Sequence, residues 1–267
     1  MAELTIRFDD GAAYEEAMGR WSVPVGQIFI DWLAPQAGLR WIDVGCGNGA
    51  FTGLVVQRCA PAEVQGIDPS EAQLAFARRR PEARGAIFSS GDAMALPFDD
   101  NRFDAAVMAL VIFFVPDPAK GVAEMARVVR PGGTVATYAW DVPGDGSPVD
   151  LIRSELRGMG VTPPPLPSCS ASSMSALRDL WTRTGLEPVE TREITVQRTF
   201  ADFDDFWTAA RMTASVRPTI ANMPPDEVER LKQGVRAHLA IDAQGRVTHV
   251  ARANAVKGRV QAEGTKK

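Results

Sequence analysis

At 267 residues, with 45% apolar and 23% charged residues, the chain holds material for one large globular domain. A net charge of −4, with no Lys/Arg run interleaved with aromatics, argues against a nucleic-acid partner, because phosphate neutralisation needs a basic footprint. Three cysteines, Cys46, Cys59 and Cys169, make no paired framework and show no metal spacing, so a cytoplasmic chain without a metal is expected.

The opening segment is acidic and lacks an apolar centre, so no secretory signal is expected. Tyr14 to Leu33 reads as helical, with Trp21, Val25, Ile28, Phe29 and Leu33 near one stripe and Pro24 as a break or restart. "LRWIDVG" is a short buried strand, and Gly49 to Cys59 a helix. "AEVQGID" is a second strand, followed by the helix "SEAQLAFARRR" with Ser70 as its N-cap. "RGAIFSSGD" and "FDAAVMAL" are the third and fourth strands, "DPAKGVAEMARVVR" a helix and "GGTVATYAW" the fifth strand. The longest apolar run, Ala105 to Val115, is too short to span a bilayer and reads as a buried strand with its following loop, so no membrane association is expected. This alternation calls for a parallel sheet with helices on both faces.

Beyond Trp140 the pattern loosens. "DVPGDGSP" and the Pro- and Ser-rich "VTPPPLPSCSASS" read as loop. "MSALRDLWTRTG" is a helix ending at Gly185, "EPVETREITVQRTF" a strand, "FADFDDFWTAARMT" and "PDEVERLKQGVRAHLAI" two helices, and "GRVTHVARANAVKG" a last strand.

In an open α/β sheet, ligands bind beyond the carboxyl ends of the strands. Gly45, Gly47 and Gly49 follow the first strand and permit a tight turn with close ligand approach at a helix N-terminus. "GCGNGA" satisfies the dinucleotide pattern, so a nicotinamide dinucleotide and S-adenosylmethionine both remain open at this point. Asp43 favours the second, since a carboxylate there repels a pyrophosphate and suits a cationic amine or sulfonium. Asp68 ends the second strand, where it suits ribose hydroxyls. Asp92 ends the third, where it suits an exocyclic adenine amine. An N–H at Ala93 or Met94 suits a ring nitrogen, and Ile67, Pro69, Met94 and Leu96 suit the faces of the base.

On "WIDVGCGNG", "GIDPS", "GDAMALPF", "FDAAVMALVIFFVPDP" and "EMARVVRPGGTVATYAWD", the chain resembles the class I S-adenosylmethionine-dependent methyltransferases over residues 40–141. The flanks "YEEAMGRWSVP" and "THVARANAVKGR" resemble the ends of the small-molecule group. The resemblance implies an α/β fold: a doubly wound, Rossmann-like, mostly parallel seven-stranded sheet with an antiparallel last strand and helical cap insertions. It also implies one methyltransferase domain over 1–267, with N-terminal helices (1–39), a cofactor core (40–141), cap insertions (142–175 and 199–244) and a last strand (246–257). By the same resemblance, Asp43 with the backbone of Gly45, Cys46 and Gly47 holds the methionine moiety. Asp68 takes the ribose hydroxyls, Asp92 with Ala93 the adenine, and the Ala109 carbonyl faces the methionine amine. Tyr14 and Arg20 close over the methionine end, Arg20 pairing its carboxylate.

The chain departs from many relatives in having "VIFFVPDP" after the fourth strand, with no histidine to act as base, and it lacks an "NPPY" signature. Transfer from an activated donor needs alignment more than a base, so no catalytic residue is assigned. His238 and His249 read as packing residues, and Trp140 or Asp141 are positioned to touch substrate. The expected function is methyl transfer to a small-molecule acceptor beneath a cap. An NAD(P)-dependent oxidoreductase and a non-catalytic S-adenosylmethionine-binding protein are the alternatives. The acceptor and the oligomeric state are not assigned.

Overall fold

The structure, a computed structural model, describes residues 18–262. Helix α1 (Arg20–Leu33) buries Trp21, Val25, Phe29, Ile30 and Leu33 on one stripe. It continues through Pro24 without a break: the proline sits one turn from the helix start, so its missing N–H forfeits a single bond. Then follow β1 (Arg40–Val44), α2 (Ala50–Arg58), β2 (Glu63–Asp68), α3 (Glu71–Ala77), β3 (Ile87–Ser90), β4 (Phe103–Ala109), α4 (Pro118–Val128) and β5 (Val129–Trp140). Capping is local and chemical: the Ser70 hydroxyl accepts the Gln73 amide at the head of α3, and the Asp117 carboxylate accepts the Lys120 amide at 3.0 Å at the head of α4.

Beyond β5 come α5 (Asp150–Gly158), α6 (Met174–Arg183), β6 (Glu190–Phe200), α7 (Phe203–Arg211), α8 (Arg217–Ala221), α9 (Pro225–Ala237) and β7 (Val247–Arg259). The expected helices and strands of this half are all present. The helix α5, between two Pro-rich loops, and the five-residue α8 are additions to the reading from sequence.

The sheet order is β3-β2-β1-β4-β5-β7-β6. Strand β7 runs antiparallel to β5 and β6, and the other pairings are parallel. β1 and β4 lie at the centre and are buried on both faces, which explains why Trp41, Ile42, Val44 and Ala105 to Met108 lack polar alternation. The strand order reverses between the parallel neighbours β1 and β4, where an open sheet leaves a crevice.

The segments outside the sheet meet each other. α5 packs on α9, where Gly234 leaves room for the Glu155 side chain, and the His238 imidazole lies 3.1 Å from Glu155 Oε1. Lys232 of α9 pairs with Asp204 of α7 at 2.6 Å. Among the described residues no helix is long and apolar enough to cross a membrane, and no His/Cys/Asp/Glu cluster is arranged to hold a metal.

Candidate functional site

A cavity of about 230 Å³ opens at the carboxyl ends of β1, β2 and β4, beside the loop after β3. Its floor is the turn after β1. The Gly45 and Cys46 amides both donate to the Ile67 carbonyl, at 2.7 and 2.9 Å, folding the turn over the end of β2. Gly45 has φ +75°, and a Cβ there would lie 2.5 Å from a Val111 methyl. That position is closed to other residues by conformation and by space. Gly49, at φ +77°, starts α2 directly against Ala77 of α3.

Asp43, one residue before the end of β1, has 2% of its surface exposed. Its Oδ2 accepts the Thr52 hydroxyl at 2.6 Å, while Oδ1 has no hydrogen-bond partner among the described residues; the residue lines the cavity. Burial pushes the carboxyl up to about 7; the Thr52 hydroxyl opposes the rise and the neighbouring Asp68 adds to it. An orphaned, desolvated carboxylate oxygen calls for a cation or a donor. Asp68 is differently placed. Its Oδ2 accepts the Gly47 amide at 2.9 Å and its Oδ1 the Ser70 amide at 2.8 Å, so it ties the glycine turn to the head of α3. Burial raises its pKa and the two amides moderate the rise. Remaining lone pairs on these oxygens can still accept hydroxyls.

Asp92 is exposed at the cavity edge, its Oδ1 accepting the Met94 amide at 2.8 Å. The Met94 N–H is thereby committed, and Met94 is not among the lining residues, whereas Ala93 is. Pro69, Ile67, Cys46, Gly47 and Ala109 also line the cavity; Leu96 does not. Burial raises the Cys46 thiol, which makes it an inert wall. Arg20 is exposed near Arg198 and is not among the lining residues. Tyr14 lies outside the described residues.

The described lining thus carries Asp43, Asp68 and Asp92 and no lysine, arginine or histidine. Among the described residues a pyrophosphate has no counter-charge there. A ligand with a cationic end and a hydroxylated, aromatic remainder fits both the charge and the apolar walls.

Several lining residues carried no signal in isolation. Ser22 comes from α1, Asn48 from the turn, Gln73 from α3, and Tyr138 from inside β5. Tyr138 packs its ring on Phe29, centroids 4.6 Å apart, and its hydroxyl reaches the space left by Gly26. A lone tyrosine in an apolar strand was the available clue. Leu110, just after β4, holds φ +61°, a conformation costly for a branched residue. It and Phe114 line this cavity and also a second one of about 50 Å³. The second cavity is walled by Trp140, by α5 through Asp150 and Arg153, by Leu166 and by Thr213 to Ser215. Both segments expected to form a cap therefore contribute to it.

Trp140 touches this second space, while Asp141 is held by Arg252 at 2.7 Å and lines neither cavity. His249 packs edge-on against Trp21 and Phe206, and burial lowers its pKa. Neither histidine lines either cavity.

Comparison with known proteins agrees with this geometry. Residues 42–137 match the family described as Methyltransferase domain. Over that span the chain is similar to a methyltransferase domain. It is 40% identical over 141 residues to the ubiquinone/menaquinone biosynthesis C-methyltransferase UbiE of Dinoroseobacter shibae, covering 51% of this chain and 55% of that one. It is 36% identical over 120 residues to a demethylmenaquinone methyltransferase of Thermus thermophilus, covering 44% and 54%. The chain thus spans about half the length of the curated relatives it matches. Among solved structures, phosphoethanolamine N-methyltransferase 2 of Haemonchus contortus, in complex with S-adenosyl-L-methionine, superposes with a TM-score of 0.60 at 17% identity, covering 96% of this chain and 58% of that one. At that identity the likeness speaks for the class I, Rossmann-like fold of the methyltransferase domain.

Proposed function

We propose that the chain is an S-adenosylmethionine-dependent methyltransferase acting on a small molecule, and that it works as one domain. In this reading the sheet core (40–141) holds the cofactor, and the segments 142–175 and 199–244 cover the acceptor. The carrying observation is the cavity at the strand ends, with three aspartates, no described cation, and the orphaned Oδ1 of Asp43. When bound, S-adenosylmethionine supplies an electrophilic methyl group and leaves as a neutral thioether. Asp43 holds its cationic end, with the turn from Gly45 to Gly47. Asp68, fixed by two amides, is preorganised to accept ribose hydroxyls. Asp92 and Ala93 stand at the adenine end, and Ala109 closes the strand edge.

The protein's own contribution is alignment and exclusion of water. Leu110 and Phe114, shared by the two cavities, form the wall across which the acceptor meets the methyl group. No histidine lines either cavity, so an acceptor that enters already nucleophilic fits this site. The unpaired cysteines are consistent with a cytoplasmic protein, and the acidic balance with an acceptor other than nucleic acid. Calorimetric titration with S-adenosylhomocysteine and with NAD tests the reading. Binding of S-adenosylhomocysteine with no NAD binding is expected, and the reverse overturns it.

A further inference from the structure

Arg153 is the one arginine that lines the second cavity among the described residues, and 8% of its surface is exposed. Its Nε and Nη1 are buried and have no hydrogen-bond partner among the described residues. Burial works against its charge, and the opposing charge that offsets it, Asp150, bonds to neither nitrogen. Asp150 is instead engaged by the Ser147 amide at the start of α5. A guanidinium presents its donors as a fork matched to a carboxylate, and one kept buried with two free N–H groups is set for an anion. Ser147, Thr213 and Ser215 add polar groups to the wall, and Phe113, Phe114, Trp140, Val149 and Leu166 make its apolar part. The volume of about 50 Å³ accepts a head group but not a whole ring, since one water fills roughly 10–15 Å³ by the same measure. Asp150 beside the guanidinium disfavours a second negative charge and so selects a monoanion.

Resting on the methyltransferase reading above, we propose that the acceptor is an apolar small-molecule monocarboxylate. Its carboxylate pairs with Arg153 in the second cavity, and its methyl-accepting end faces the donor cavity across Leu110 and Phe114. Arg153 is thus a specificity-determining residue that touches substrate and takes no part in holding the cofactor.

The test uses the full chain saturated with S-adenosylhomocysteine. Benzoate, phenylacetate and cinnamate, each beside its neutral amide, are titrated calorimetrically into the parent, Arg153→Met and Arg153→Lys. At least one acid is expected to bind the parent about tenfold or more tightly than its amide. Arg153→Met is expected to bring that pair within about twofold while S-adenosylhomocysteine affinity stays unchanged. Arg153→Lys keeps part of the preference and serves where the Met variant does not fold. Acids that bind no better than their amides, or a preference that survives Arg153→Met, overturn the inference while leaving the donor site standing. A parent that fails to bind S-adenosylhomocysteine overturns the donor-site reading, and the inference with it.

Discussion

The two cavities meet at Leu110 and Phe114 and differ in charge. The larger is made by the turns that end parallel strands and carries three aspartates; the smaller is roofed by the added segments and carries one buried arginine beside Asp150. In the first, backbone amides do much of the holding: Gly47 and Ser70 on Asp68, and Met94 on Asp92. In the second, side chains from distant segments do it, with Trp140, Arg153, Leu166 and Thr213 converging on one space. On the proposed reading, the donor end of the site is therefore written into the fold's own connections, whereas the acceptor end is free to vary with the insertions. A cationic ligand on one side and an anionic one on the other would also be drawn together by the site itself.

The contrast is most severely strained at Asp43. Replacing it with Asn keeps the shape and removes the charge, and S-adenosylhomocysteine affinity is expected to fall about a hundredfold, near 3 kcal/mol, by calorimetry. Unchanged affinity would end the electrostatic account of the donor cavity. Next in size is Gly45→Ala. Its Cβ would meet Val111 at 2.5 Å at φ +75°, so a loss of about 1–3 kcal/mol is expected in denaturant unfolding.

A pH series sharpens the same comparison. The Asp43 carboxyl titrates near 7 in the fold and near 4 when unfolded, so its contribution to the stability of the ligand-free protein is present below about pH 4 and lost as pH rises through 7. Relative to the parent, Asp43→Asn should therefore gain stability between pH 5 and 8. Over the same range the parent's affinity for S-adenosylhomocysteine should rise while the variant's stays flat. A parent profile as flat as the variant's would contradict the assigned titration. Asp68→Asn, which retains one acceptor oxygen, is expected to weaken S-adenosylhomocysteine binding about tenfold. The smallest effect is expected at Arg20, which is exposed outside the lining: Arg20→Ala should leave that affinity within about twofold.

Most of the donor cavity was legible in the letters. Strand ends are marked by the switch from apolar run to glycine or acid, so spacing alone places Asp43, Asp68 and Asp92 at one sheet edge. Their hydrogen bonds could not. That Asp68 spends two oxygens on Gly47 and Ser70, or that the Met94 amide is taken by Asp92, depends on turn geometry that spacing does not specify. Arg20 illustrates the limit most directly: it sits on the helix expected to close the site, yet its position on that helix directs it outward beside Arg198.

By itself the sequence determined the alternation of strand and helix, the glycine turn and the negative character of the donor edge, because these follow from local periodicity and from where each strand stops. Only the tertiary structure decided the left-handed backbone of Leu110, the inward tyrosine of β5 and the burial of Arg153 with no bond to a described residue on two of its nitrogens. Each of these arises where segments tens of residues apart are pressed together, and the energy of such contacts belongs to the packing and not to any one stretch of chain.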